Sequence, residues 1–302
     1  MSSRRRISKA RKIILLIAVP VFVLSIGIYL FITVYKPAAE KRALNTIVVT
    51  QHEYESRFGD ETTVLPAEDE EEETITILAK YAALYEQNPD LRGWIKVPAY
   101  KIDSPVVQGP DNDYYLRRGF NGEWARSGTP FFDYRIRDFK NLPRNTVIYG
   151  HNMQREDIVF GVFENLRTVD GYRACPVIQV DTIYREYRWF VYAVFVTNID
   201  PKQDNGHFFE YNFVDATDED FEAYIEEINR RRLYSTGVEL TKQDRILTIS
   251  TCGYDFYNAR FVVVARMQRK DEPDVPDVSL AKKNPDPKYP QVWYDTYGGH
   301  YP

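Results

Sequence analysis

Residues 13–35, IILLIAVPVFVLSIGIYLFITVY, run for 23 positions without a charged side chain. At about 1.5 Å rise per residue, a helix of that length crosses the roughly 30 Å hydrocarbon layer of a bilayer. Pro20 inside it is tolerated better in a membrane than in water. An export signal also begins with basic residues before an apolar stretch, but its apolar core is about 7–15 residues long and closes on a small-x-small cleavage site. The run is longer and no such site closes it, so an uncleaved anchor is expected. Residues 1–12 carry six Lys/Arg and no acid. The positive-inside rule then keeps them in the cytoplasm and places everything after residue 35 outside the cell.

Charge supports that division. The net charge is −5, and the first twelve residues contribute +6, which leaves −11 on the rest. An acidic exported domain lacks the electrostatic footprint that nucleic acid requires. The basic segment instead suits topology and contact with lipid headgroups. Cysteine is sparse, at Cys175 and Cys252 only. An exported chain can bridge two cysteines, but one bridge does not make a disulfide scaffold. A hydrophobic core must hold the domain, and 44% hydrophobic with 15% aromatic residues supplies it.

Residues 36–74 have low apolar density and an acidic cluster at 68–73, and read as a stalk. Leu78, Tyr81, Ala82 and Tyr85 then fall on one helical face, and Pro89 ends that helix. From about residue 91 the texture becomes short apolar runs bounded by Gly, Pro, Asn and Asp: GWIKV, SPVVQG, GTPFFDY, NTVIYG, CPVIQVDTI, YREYRWFVYAVFVTN, RILTIST and RFVVVARMQ. These predict strands, and so a mostly β barrel or sandwich. One helix interrupts them late, with Thr217 as N-cap and Phe221, Tyr224, Ile225 and Ile228 as its apolar face. The Pro-rich segment 270–302 reads as an extended tail.

The chemistry concentrates in RILTISTCGYDFYNARFVVVARM, residues 245–267. Leu247, Ile249 and Thr251 alternate with Thr248, Ser250 and Cys252, so the two sets face opposite sides of a strand. GYDFYN reverses the chain, and Arg260 opens the return strand. Antiparallel neighbours lie about 4.8 Å apart, so Cys252 and Arg260 can share a cleft. A guanidinium beside a thiol stabilises the thiolate and offers a donor to a developing oxyanion. Of four histidines, His52 lies in the stalk, His300 in the tail and His207 in a polar loop. His151 follows a strand and Gly150, where a scaffold presents functional side chains. Taken singly, each of the three residues has an ordinary structural explanation.

Three stretches in the same order resemble sortases: TISTC with the following ARFVVVAR, NTVIYGHNM, and RGWIKVPAYKIDSPVVQGPDNDYYLRRGF. The Ser-Thr-Cys form, the RGWIKVPAYKIDSPVVQGPDNDYYLRRGF stretch and the helix before the cysteine strand are similar to class B of that family. The resemblance covers about residues 75–268, and it implies a closed β-barrel catalytic domain at 75–269. It implies a transpeptidase of the Gram-positive cell surface; no cofactor and no metal-ligand set is expected, and calcium dependence stays open. Cys252 would attack the Thr carbonyl of a C-terminal sorting signal, His151 would exchange protons with the leaving and incoming amines, and Arg260 would hold the substrate and oxyanion. Thr251 and, in the substrate groove, Ser250, Asn112 and Leu116 match further family positions. The partners implied are surface proteins bearing sorting signals and a peptidoglycan amine. Ile249 stands where Leu is usual, and Gly253 where class B often has an acid. Two other readings stay open: a pilus-assembling sortase that uses a pilin lysine, and a surface domain that binds without turnover. The Asn-Pro pair in KKNPDPKYP also raises the question of whether the tail occupies its own groove.

Overall fold

The structure is a computed structural model that describes residues 9–66, 74–153 and 158–301. The first eight residues of the basic segment and the acidic cluster at 68–73 lie outside the described residues. The chain divides into two units, residues 1–46 and 47–302. In the first, helix α1 (Lys9–Leu30) leads through a π-helical turn at Phe31–Tyr35 into α2 (Lys36–Phe58), which continues into the second unit. Among the described residues one helix is long and apolar enough to cross a membrane.

The second unit begins differently from a stalk. In α2, Gln51 is buried, His52 Nε2 lies 2.7 Å from Asp103 Oδ2, and Lys96 donates to Glu55 at 2.9 Å. Strand β1 (Thr62–Pro66) pairs antiparallel with β2 (Thr74–Leu78). Leu78, read as the first residue of the helical face, therefore ends a strand instead. Ile75 and Ile77 alternate into the core, and Leu78 N–H donates to the Ile183 carbonyl at 2.8 Å. Only Ala82–Gln87 (α3) is α-helical, and it ends before Pro89.

Each of the eight apolar runs forms a strand. They are β3 (Leu91–Val97), β4 (Ile102–Val107), β5 (Phe131–Phe132), β6 (Asn145–Tyr149), β9 (Val177–Thr182), β10 (Arg188–Thr197), β12 (Ile246–Cys252) and β13 (Arg260–Met267). Between them lie the hairpin β7 (Asn152–Met153) and β8 (Ile158–Val159), helices α4 (Val169–Ala174) and α5 (Asp218–Arg231), and the short strand β11 (Tyr234–Ser235). The eight close into a barrel in the order β10-β13-β12-β6-β5-β4-β3-β9, which leaves no free edge. Leu247, Ile249, Phe261, Val263 and Ala265 fill its interior. Ile246, Val262 and Val264 point outward and pack with Phe221, Tyr224 and Ile228 of α5. Thr217 caps α5 as expected, accepting from Asp220 N–H at 3.1 Å.

The tail is not extended. Strand β14 (Lys282–Lys283) pairs with β11, and helix α6 (Gln291–Tyr297) follows. Ala281, Lys288 and Tyr294 are buried, and the rings of Tyr289 and Trp293 stack at 4.0 Å. Periodicity missed this because each piece is a few residues long and its stability comes from docking. Asn284 donates to the Arg232 carbonyl at 2.8 Å, so the Asn-Pro pair is held at the end of α5 rather than lying as a free peptide.

Candidate active site

Three neighbouring strands assemble the site. β12 runs antiparallel to β13, and Cys252 stands directly opposite Arg260. β6 runs parallel to β12 with Tyr149 beside Ser250. Beyond that last pair the chain stays next to the end of β12, because Asn152, one residue after His151, donates to the Cys252 carbonyl at 2.8 Å. Parity agrees: Ile148, Ile249 and Phe261 are interior, so Cys252, Arg260 and His151 belong to the outward set. All three are partly exposed at one end of the barrel.

The histidine turn is tied down from several directions. Thr251 Oγ1 donates to the Gly150 carbonyl at 2.7 Å. Phe160 N–H donates to the His151 carbonyl at 2.9 Å. His151 Nε2 lies 2.7 Å from the Leu116 carbonyl oxygen. A carbonyl can only accept, so Nε2 carries a proton and, in the neutral ring, the lone pair sits on Nδ1. Burial lowers the imidazole pKa; the Leu116 carbonyl opposes this and Arg117 adds to it.

Asn152 completes the frame. Buried to 4% exposure, it donates through Nδ2 to the Cys252 carbonyl at 2.8 Å and to Glu164 Oε1 at 3.2 Å. Tyr254 Oη donates to the Asn152 carbonyl at 2.8 Å. The residue after the histidine thus grips the nucleophile's backbone, and the loop after the nucleophile grips that residue in return. Asn152 was not singled out from sequence; its adjacency to His151 was the one available signal.

Arg260 donates from Nη1 to the Ala259 carbonyl at 3.1 Å. Among the described residues no carboxylate pairs with it, so its remaining donors are available. A second arginine, Arg167, holds the loop between β12 and β13 by a two-point bond to Asp255, at 2.7 and 3.1 Å, and also pairs with Glu164.

The other positions named from sequence serve as support in this geometry. Ser250 is buried, its Oγ 3.0 Å from Tyr211 Oη. Thr251 is buried and its hydroxyl is committed to Gly150. Asn112 donates to Asp133 at 3.1 Å and accepts from Tyr134 N–H at 3.1 Å. Leu116 meets the site through its carbonyl. Cys175 is apart from it: 2% exposed, within the barrel core, its thiol pKa pushed by burial up to about 12. Both cysteines are free thiols.

The sortase domain family matches residues 95–268. Sortase B of Listeria monocytogenes is 32% identical over 189 residues, which covers 62% of this chain and 73% of that protein. Among solved structures, a Staphylococcus aureus sortase B–substrate complex superposes with a TM-score of 0.66 at 26% identity, covering 78% of this chain and 100% of that one. Clostridium perfringens sortase B superposes with a TM-score of 0.54 at 35% identity, covering 62% of this chain and 99% of that one.

Proposed function

From a chain that belongs to the sortase family, in its class B, and is therefore a cysteine transpeptidase, we propose that Cys252, His151 and Arg260 carry the reaction on C-terminal sorting signals of exported proteins. The observation that supports this is register: Cys252 of β12 is paired with Arg260 of β13, and His151 lies two residues past the end of β6, the parallel neighbour of β12.

The Cys252 thiolate attacks the Thr carbonyl of the signal. Negative charge develops on that oxygen, where the uncommitted Arg260 donors stabilise it. The C–N bond breaks, and the leaving amine takes a proton from His151. With Nε2–H occupied by the Leu116 carbonyl, Nδ1 is the position left to give and regain that proton. The product is a thioester on Cys252. An incoming amine of the peptidoglycan cross-bridge then attacks it, loses a proton to His151, and the C–S bond breaks to restore the thiolate. Burial disfavours the charged imidazolium, and so works against the form in which His151 carries the proton to be donated. Asn112, Leu116, Ser250 and Thr251 shape the groove wall from behind. The apolar helix anchors the enzyme, with residues 1–12 inside the cell and the barrel outside.

The test is mass spectrometry of the full chain in detergent with sorting peptides of the Asn-Pro-x-Thr and Leu-Pro-x-Thr-Gly types and an amine. A thioester on Cys252 that is lost in Cys252→Ala, and that resolves onto the amine, is expected. Folded protein with a free Cys252 and no adduct from any peptide would overturn the assignment.

A further inference from the structure

The family match ends at residue 268, yet the chain after it is packed and reaches back to the site. We propose that the segment 282–301 is a strap that positions the loop 253–259, and with it the Cys252–Arg260 pair, through Tyr297. This rests on the reading of Cys252 and Arg260 as the reacting pair.

The loop joins the nucleophile to the arginine across seven residues and has little structure of its own. Two backbone bonds close it, Gly253 N–H to the Ala259 carbonyl at 2.9 Å and Ala259 N–H to the Phe256 carbonyl at 3.2 Å. Tyr254 and Tyr257 are 57% and 83% exposed, and Asn258 takes a left-handed conformation at φ +62°. Gly253 and Ala259 are buried at its ends, and the stretch between them, held by Tyr254 to the Asn152 carbonyl and by Phe256 against the core, opens locally unless it is held further from outside.

One hold comes from the strap directly and a second from a turn that the strap seats. Tyr297 Oη donates to the Asp255 carbonyl at 2.7 Å. Gln203 Nε2 donates to the Tyr257 carbonyl at 2.6 Å, and the turn that carries Gln203 is itself seated on the strap. Gln291 N–H donates to Asp204 Oδ1 at 2.9 Å, and Asn205 Nδ2 to Gln291 Oε1 at 3.3 Å. Arg167, outside the strap, grips the Asp255 carboxylate. Asp255 is thus fixed at both its carbonyl and its side chain, by two separate elements.

The strap's own anchorage is independent of the loop. β14 pairs with β11, Lys288 N–H donates to the Arg230 carbonyl at 2.9 Å, and Lys288 Nζ meets Glu227 at 2.9 Å. Tyr294 is buried. Tyr297 itself is 58% exposed, so losing its hydroxyl leaves the fold in place. It touches no reacting group; it is a positioning residue that acts through the loop.

The experiment compares the full chain in detergent with Tyr297→Phe, with a chain ended after residue 290, and with Thr296→Ala as the control on the same helix. Amide exchange of residues 253–259 and the rate of Cys252 alkylation by iodoacetamide are read alongside turnover of a sorting peptide. Tyr297→Phe is expected to speed exchange of the loop by about five-fold, the factor an ordinary hydrogen bond is worth. It should change the alkylation rate and lower kcat/KM, with an unchanged unfolding midpoint. The shortened chain should do more of each, and Thr296→Ala nothing. Loop exchange that is unchanged in both Tyr297→Phe and the shortened chain overturns the strap. Exchange and alkylation need no substrate, so a protein that turns over no peptide sinks the proposed reaction while leaving this test intact.

Discussion

Gly150→Ala is the sharpest test of how the histidine is placed. A β-carbon at position 150 would lie 2.5 Å from Phe160 Cδ2 and 2.7 Å from its Cε2, almost an ångström inside ordinary contact. The ring cannot retreat, because Phe160 is fully buried and packed edge-on to Phe163 at 5.3 Å between centroids. Overpacking of this kind costs about 1–3 kcal/mol. The softer partner is the turn itself, held by the Thr251–Gly150, Phe160–His151 and His151–Leu116 bonds. Moving it displaces His151 by up to an ångström, and a shift of that size costs on the order of 10² in rate. Acylation by a saturating sorting peptide and the urea midpoint of the full chain are the measurements. Phe160→Leu should open the space: alone it destabilises by about 1 kcal/mol through lost packing, and combined with Gly150→Ala it should return part of both losses. The expected coupling is roughly 0.5–3 kcal/mol, in the range found for touching residues. Gly150→Ala that acylates at the parent rate with unchanged stability, or a double variant whose losses simply add, refutes the argument.

Native protein should present one thiol to iodoacetamide, at Cys252, while Cys175 reacts only after unfolding; two fast thiols by intact mass would contradict the burial of Cys175. Arg260→Gln removes the uncommitted donors and should lower the acylation rate by roughly 10²–10³ with an unaltered circular dichroism spectrum; a loss under about three-fold would deny it a part in oxyanion stabilisation. His151 has a folded pKa below its unfolded value of about 6.5, so the unfolded chain takes up its proton first as pH falls. Stability should therefore drop below about pH 6.5, and His151→Gln should lessen that drop in urea midpoints measured at pH 7.5 and 5.5; an equal drop in both proteins would deny the burial effect. Asn152→Ala leaves the Cys252 carbonyl without its donor and should cost about 1–3 kcal/mol; an unchanged midpoint would show that the carbonyl finds another partner.

Much of the frame was readable because it follows from local alternation. The eight barrel strands are eight apolar runs bounded by turn residues, and the period of two along residues 247–252 separates core from site. Cys252 and Arg260 are joined by so short a reversal that pairing them needs no knowledge of the rest of the chain. Residues 36–66 and 270–301 were harder. Lys36–Phe58 is helical with little apolar density, and its second-unit residues dock through His52 and Glu55, polar groups whose partners, Asp103 and Lys96, lie far along the sequence. In the tail, aromatic stacking over a seven-residue helix replaces periodicity.

What holds the site had almost no signal, for a chemical reason. The acceptors that fix it are main-chain carbonyls: Leu116 for His151, Gly150 for Thr251, Cys252 for Asn152, Asn152 for Tyr254, Asp255 for Tyr297 and Tyr257 for Gln203. Every residue has a carbonyl, so the identity of an acceptor residue says nothing about the bond. The donors are particular side chains, and these are where substitution should tell. Replacing Leu116 by another apolar residue keeps the carbonyl that meets His151, whereas replacing Asn152 or Thr251 removes the bond itself. The frame is thus written in its donors, and two of them, Asn152 and Thr251, stand one residue after His151 and one before Cys252, close enough to be mistaken for neighbours of the chemistry rather than its supports.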